Sequence, residues 1–194
     1  MPAWAEGATI EVAGEEEKLL KAGEFQTLSR KWNGSVEIKL RFPMRVKTSR
    51  RYNQALAIER GPLVYSLKIG EIRTRINADK PGHELPHGDF EIRPATPWNY
   101  GLLVDETKPE NSVRFEEQPV GEKPFSPEGA GMVAKVQGRK LPNWKLDHGS
   151  AAEVQPEPQS SREPLEGLTL SPYGCTNLRV TEFPRLRQEQ AKNF

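Results

Sequence analysis

Residues 83–87 read H-E-L-P-H, which matches the letters of the metalloprotease motif H-E-x-x-H. That motif works on a helix, because one turn places His83 and His87 on the same side of a zinc ion with Glu84 beside them. Pro86 lies inside the five residues, and proline in a helix interior costs about 3 kcal/mol. Turn-forming residues also flank the segment on both sides. The sequence therefore predicts a loop here and not a catalytic zinc site.

Cys175 is the single cysteine of the chain, so it can form neither an internal disulfide nor a multi-thiolate zinc site. A catalytic cysteine needs a thiolate that a neighbouring base or metal stabilises. Nothing in the sequence places one of the three histidines beside it. We expect a buried, small side chain next to the start of a strand. A self-contained hydrolase that uses Cys175, or His83 with Glu84 and His87, is the least favoured hypothesis.

Trp98, Asn99 and Tyr100 lie in a short segment bounded by proline and glycine. Sugar-binding surfaces stack aromatic rings on the C–H groups of the sugar and use amides to bind its hydroxyls. These three side chains are therefore our candidate carbohydrate-binding residues. The alternative is that Trp98 and Tyr100 close one end of a β-sandwich, since aromatic side chains dominate small cores. The sequence favours this second interpretation and leaves the first open.

The charges of the chain are balanced, with 28 Lys and Arg against 27 Asp and Glu, and both signs are interleaved. Nucleic-acid-binding proteins usually concentrate basic residues on one face or tail, so we expect no nucleic-acid partner. No apolar run approaches the roughly 20 residues of a membrane-spanning helix, and the first residues do not resemble a signal peptide. We therefore expect no membrane association, and the compartment stays undetermined.

Short alternating segments predict that the fold is all-β. The clearest alternation runs over 35–42, and the Asn-Gly pair before it predicts a β-hairpin with residues 24–28. Residues 15–22 are the one segment in which we expect a short helix. Beyond residue 70 frequent prolines exclude long central strands, and 149–164 read as a connection. Many short strands with frequent turns are typical of a β-sandwich.

Several motifs in a fixed order resemble the C-terminal region of the β-L-arabinofuranosidase family, glycoside hydrolase family 127. The Arg-Gly-Pro-Leu-Val-Tyr segment at 60–65 is the most specific, and the resemblance extends from about residue 2 to residue 184. It implies two antiparallel, jelly-roll-like β-sandwiches, the second inserted into the first. On that pattern 1–70 form the first sandwich, 71–165 the second, 166–184 return to the first, and 185–194 are a tail.

The same resemblance implies that catalysis in the family resides on an N-terminal (α/α) barrel, with a zinc-held cysteine nucleophile and glutamate partners. None of these residues maps onto this chain, so we expect no cofactor and no catalytic residue here. Family members reach the motif at Trp4 only after earlier strands, which implies that Met1 begins within an incomplete first sandwich and that the chain is a fragment.

We therefore predict a non-catalytic accessory module of a β-L-arabinofuranosidase-like glycoside hydrolase. The partners expected from the resemblance are the N-terminal barrel or a second copy of the chain. An independent carbohydrate-binding module that binds arabinose-containing glycans is the alternative.

Overall fold

The computed structural model describes residues 1–187, and their regular structure is almost entirely β-strand. The strands are β1 (Thr9–Val12), β2 (Lys18–Leu19), β3 (Ile38–Arg41), β4 (Val46–Arg50), β5 (Leu56–Arg60), β6 (Leu63–Leu67), β7 (Glu71–Ile76), β8 (Asp89–Pro94), β9 (Tyr100–Leu103), β10 (Arg114–Glu117), β11 (Met132–Lys140), β12 (Leu146–Asp147), β13 (Ser150–Ala151) and β14 (Glu166–Pro172). Short 3-10 helices lie at Tyr52–Gln54, Pro109–Asn111 and Tyr173–Cys175. The all-β prediction is confirmed. No helix within 1–187 is long and apolar enough to span a membrane.

The chain forms two compact units, and the first consists of Met1–Val46 with Arg60–Pro62. Its sheet has the order β2-β1-β3, with Ile10 opposite Leu40 and Val12 opposite Ile38. Directly paired residues of neighbouring strands lie on the same face of a sheet, so these four apolar side chains lie on one face. The buried core of this unit is Ala5, Ala8, Ile10, Val12 and Leu20.

Two local predictions in the first unit are wrong. Residues 24–28 form no strand, and β3 pairs with β1 instead, because only that register aligns its apolar residues with Ile10 and Val12. Phe25 is fully exposed, so the 24–28 segment has nothing to bury. The expected helix over 15–22 is replaced by β2, since the backbone N–H of Leu20 donates to the carbonyl of Ala8 and its side chain joins the core.

The second unit consists of Lys47–Glu59 and the chain from Leu63 onward. Its seven-stranded sheet has the order β10-β11-β14-β6-β5-β4, and β9 also pairs with β11. Leu170 of β14 is opposite Ala134 on one side and Leu67 on the other, so this strand is central. Two-stranded sheets β7–β8 and β12–β13 complete the unit.

The compact units divide the chain at Val46, whereas composition and resemblance place a border near residue 70. Strand β14 pairs with β6 and with β11, so one sheet takes strands from both sides of residues 70 and 165. Of the predicted tail, Arg185, Leu186 and Arg187 are held by backbone hydrogen bonds, for example from the Leu186 N–H to the Leu102 carbonyl. The remainder of that tail, 188–194, lies outside the described residues.

Candidate functional site

A cavity of about 720 Å³ in the second unit includes a predicted site residue in its lining. Strand β8, the β12–β13 hairpin and the segment 177–180 surround it, and Trp98 forms part of its wall. Its lining residues are Ile69, Glu91, Ile92, Arg93, Pro94, Trp98, Leu146, Gly149, Ser150, Ala151, Asn177, Leu178, Arg179 and Val180. The lining thus includes both apolar and charged side chains.

Trp98 is half-buried and its indole ring contacts the ring of Trp144 edge to face, with centroids 5.1 Å apart. Such tilted arrangements are favourable because the positive edge of one ring meets the negative face of the other. Trp144 is buried, and its Nε1–H donates to the Ala152 carbonyl at 2.7 Å. The orientation of Trp98 is therefore set by a side chain that is itself held in place.

The side chain of Asn99 forms hydrogen bonds within the protein and does not line the cavity. Its Nδ2 donates to the carbonyl oxygens of Leu141 and Trp144 at 2.9 and 3.2 Å, while its backbone carbonyl accepts from the Leu141 N–H at 2.8 Å. These bonds attach the segment that carries Trp98 to the loop that carries Trp144. Asn99 thus positions the pair of tryptophans.

Tyr100 is buried, and its side chain is separate from the Trp98 cavity. Its hydroxyl donates to Oε2 of Glu166 at 3.0 Å. Burial, reinforced by the hydrogen bond and the negative charge of Glu166, raises the pKa of Tyr100 to about 12. Tyr100 lines a different cavity, which also includes Leu67 and Thr169. The structure therefore does not bring Trp98, Asn99 and Tyr100 together on one ligand-facing surface.

The β12–β13 hairpin forms one wall of the Trp98 cavity. Asp147 pairs with Ser150, so the connecting loop is the two residues His148 and Gly149. Both have positive φ values, 48° and 82°, as a primed turn of a two-residue hairpin requires. Glycine at the second position adopts this conformation without strain.

Segment 177–180 also lines the cavity and is held by Glu71. The two carboxylate oxygens of Glu71 accept from the backbone N–H groups of Asn177 and Leu178 and from the Asn177 amide, at distances of 2.8 to 3.3 Å. Arg179 follows, and its Nε donates to the Thr176 carbonyl at 2.8 Å while its guanidinium lies over the Tyr173 ring.

The segment His83–His87 is a series of turns between β7 and β8, as predicted, and not a helix. Nδ1 of His83 lies 2.9 Å from Oδ2 of Asp89. A hydrogen bond from Asn77, with the neighbouring His83 as a further contribution, lowers the pKa of Asp89. Throughout 1–187 no group of three or more His, Cys, Asp or Glu residues is arranged to hold a metal ion.

Cys175 is buried, and its Sγ–H donates to the Pro124 carbonyl at 3.3 Å. Burial raises the pKa of this thiol, so the thiolate that a nucleophile or a zinc ligand needs is disfavoured. The surroundings of Cys175 do not fit the zinc-held cysteine that the resemblance implies for the catalytic barrel.

Comparison with known protein families adds one finding. Residues 1–44 match the β-L-arabinofuranosidase GH127 middle domain. No curated protein matches the chain. The matched segment almost coincides with the first part of the first unit, Met1–Val46, so the similarity covers a compact piece of structure. The match is to a middle domain, and the resemblance of residues beyond 44 stays a prediction.

The matched segment includes several exposed apolar side chains. In the first unit Leu19, Phe25, Leu28, Trp32, Ile38 and Leu40 are all at least 37% exposed. The four residues of β3 are all exposed, and β3 is an edge strand of its sheet. The face of the sheet that buries Ile10 and Val12 on β1 therefore leaves Ile38 and Leu40 of β3 exposed.

Sequence analysis missed Glu91, Arg93 and Trp144 as neighbours of Trp98. The alternation in β8 contained a signal for the first two, because residues at i and i+2 of a strand share a face. Nη2 of Arg93 donates to Oε1 of Glu91 at 3.0 Å. No local signal pointed to Trp144, which is 46 positions from Trp98 in the sequence and contacts its ring directly in the folded chain.

Proposed function

We propose that this chain is a non-catalytic β-module of a glycoside hydrolase similar to the β-L-arabinofuranosidases. The observation that carries the proposal is the match of residues 1–44 to a middle domain of that family. The resemblance places the chemistry of the family on a helical barrel, whereas residues 1–187 of this chain form β-sheets. The module acts by contact with other parts of such an enzyme and not by chemistry of its own.

The environment of Cys175 supports a non-catalytic role. Its thiol is buried against the Pro124 carbonyl, and burial raises its pKa. A nucleophile needs the opposite environment, with a neighbouring cation or base that stabilises the thiolate. The candidate histidines His83 and His87 lie in the turns before β8, where His83 pairs with Asp89.

Exposed apolar side chains in the matched segment support a bracing role. Ile38 and Leu40 are 42% and 44% exposed on an edge strand, and Trp32 is 52% exposed. Clustered apolar surface and unpaired strand edges are typical of surfaces that contact another chain or domain. The partner we propose is the N-terminal (α/α) barrel of the parent enzyme, and a second copy of this chain is the alternative.

An activity assay tests the absence of catalysis. The purified chain is incubated with an aryl β-L-arabinofuranoside, with and without added zinc, beside an active β-L-arabinofuranosidase as the positive control. We expect no release of aryl alcohol above the buffer rate, and no difference between the chain and its Cys175→Ser variant. Turnover that disappears in Cys175→Ser, with an unchanged near-UV circular dichroism spectrum, would contradict the proposal.

Light scattering at rising protein concentration separates the two bracing partners. A mass that doubles with concentration in the wild-type chain, but not in Leu40→Lys, indicates a homodimer through β3. A constant monomer mass favours the barrel as the partner. Lys39→Ala is a matched control, because Lys39 lies on the same exposed strand and its side chain pairs with Glu11 on the polar face.

The second candidate function, an independent carbohydrate-binding module, is favoured by the position of Trp98 in the wall of the large cavity.

A further inference from the structure

We infer that the Trp98 cavity is a binding site for a short neutral oligosaccharide, in which Trp98, Glu91 and Arg93 contact the sugar. The inference rests on the proposed function, since a module of a glycoside hydrolase works beside glycans. It replaces the predicted set of Trp98, Asn99 and Tyr100, because the latter two side chains bind other parts of the protein.

The cavity has the mixed lining that a sugar ring requires. A pyranose or furanose ring has C–H groups that need apolar contact and hydroxyls that need donors and acceptors. The side chains of Ile69, Leu146 and Val180 supply apolar surface around Trp98. The volume of about 720 Å³ lies within the range of ligand sites, which are mostly apolar with a few polar groups.

Trp98 supplies a rigid aromatic surface. Its edge-to-face contact with Trp144 fixes the plane of the ring before any ligand binds. Binding therefore costs little further conformational entropy of this side chain. Its Nε1–H has no hydrogen-bond partner within the described part of the chain. One side chain therefore offers both a stacking surface and a free donor.

Glu91 and Arg93 supply hydrogen-bonding groups of both kinds. Their bond at 3.0 Å uses one oxygen of Glu91 and one nitrogen of Arg93. The second carboxylate oxygen of Glu91 remains an acceptor, and Nε and Nη1 of Arg93 remain donors with no partner among residues 1–187. The carboxylate of Glu91 offsets the charge of Arg93, and the pair presents donors and an acceptor that suit vicinal hydroxyls. Arg179 adds a second cation to the lining, so an anionic sugar is the comparison that the test needs.

Asn99 is a positioning residue for this site. It connects the Trp98 segment to the Trp144 loop through the carbonyl oxygens of Leu141 and Trp144. Its removal should change the mutual orientation of the two indoles before any ligand is added. Tyr100 has no role in the site, because its hydroxyl binds Glu166 beside a different cavity.

Calorimetric titration of the full chain tests the site. The probes are arabinotriose, xylotriose, cellotriose and galactotriose, with trigalacturonate as an anionic comparison. We expect binding of at least one neutral probe, about tenfold weaker or worse in Trp98→Ala and about three- to tenfold weaker in Arg93→Ala. Trp32→Ala and Tyr100→Phe, each checked for an unchanged melting temperature, should bind like the wild type.

Asn99→Ala carries a separate readout. The coupled circular dichroism of the two indoles should decrease in the free protein, and affinity should fall with it. An unchanged indole signal with lower affinity would contradict a positioning role for Asn99.

Three outcomes would overturn the site. They are the absence of heat with every probe at millimolar concentration, undiminished affinity in Trp98→Ala, and tighter binding of trigalacturonate than of every neutral probe. The same samples are analysed for released monosaccharide. Hydrolysis of a bound probe would refute the non-catalytic function and leave the site standing, whereas loss of binding without hydrolysis refutes the site alone.

Discussion

The two compact units differ in how completely they cover the apolar faces of their strands. In the second unit β14 has a strand on each side, and Leu170 at its centre is fully buried. In the first unit β3 is an edge strand, and Leu40 is 44% exposed although its partner Ile10 is buried. Leu170 is thus fully removed from water, whereas the apolar face of the first sheet stays partly exposed at Leu40.

The four tryptophans make this comparison measurable, because they divide evenly between the units. Trp4 and Trp32 lie in the first unit, and Trp98 and Trp144 lie in the second. Fluorine NMR of 5-fluorotryptophan-labelled protein therefore reports on both units during one urea titration.

The largest expected effect is that of Leu170→Ala. Removal of a fully buried leucine side chain typically costs about 2–5 kcal/mol, from lost burial and the remaining cavity. The Trp98 and Trp144 resonances should lose their native positions at lower urea concentration than in the wild type. A midpoint unchanged for both would contradict the central place of β14.

Alkaline pH should weaken the second unit through Tyr100. The folded-state pKa is raised from 10.0 to about 12, so the neutral hydroxyl is favoured in the folded protein. This contribution is complete below pH 10 and is lost as the pH rises to about 12, by roughly 2–3 kcal/mol. The unfolding free energy of the wild type should fall relative to Tyr100→Phe across this interval. Parallel curves for the two proteins would contradict the prediction.

Gly61→Ala should destabilise the first unit by more than the roughly 1–2 kcal/mol that a left-handed backbone alone costs a residue with a Cβ. Gly61 has φ +57°, and an added Cβ would overlap the thioether of Met44. Gly14→Ala is the matched control, because Gly14 also has positive φ but open space around it. The loss should therefore be larger at Gly61, as followed by the Trp4 and Trp32 resonances. Equal losses would show that backbone conformation alone accounts for the effect.

The smallest expected effect is that of Leu40→Ala, below about 1 kcal/mol, because much of this side chain remains in water. The same urea titration measures it through the resonances of the first unit. A loss comparable to that of Leu170→Ala would contradict the difference in coverage between the units.

Local patterns predicted strands better than they predicted strand partners. The alternation over 35–42 contains β3, yet the hairpin with 24–28 does not form. The prediction that no long central strand lies beyond residue 70 is wrong, because β11 spans nine residues without a proline and pairs with β9, β10 and β14. Pairing depends on which apolar rows can be buried together, and β1 offers Ile10 and Val12 to β3. The exposed Phe25 offers no comparable gain.

In the candidate site, too, the sequence pointed to individual residues but not to their partners. Trp98 was selected from the sequence because it is an aromatic residue in a segment bounded by proline and glycine. Glu91 and Arg93 could have been selected from their spacing, but only with knowledge that β8 faces Trp98. Tyr100 could not be excluded beforehand, because Glu166 is distant in sequence and meets it only across the sheet.

The sequence by itself determined the all-β class, the failure of the H-E-x-x-H letters to form a helix, and the absence of an internal disulfide. Each depends on neighbouring residues or on composition: alternation, a proline inside a motif, a single cysteine. Only the tertiary structure decided that β14 joins strands from both halves of the chain, that Cys175 is buried against Pro124, and that Trp98 faces a cavity while Tyr100 does not. These features depend on contacts between residues far apart in the chain. The free energies of such contacts cannot be inferred from the local sequence.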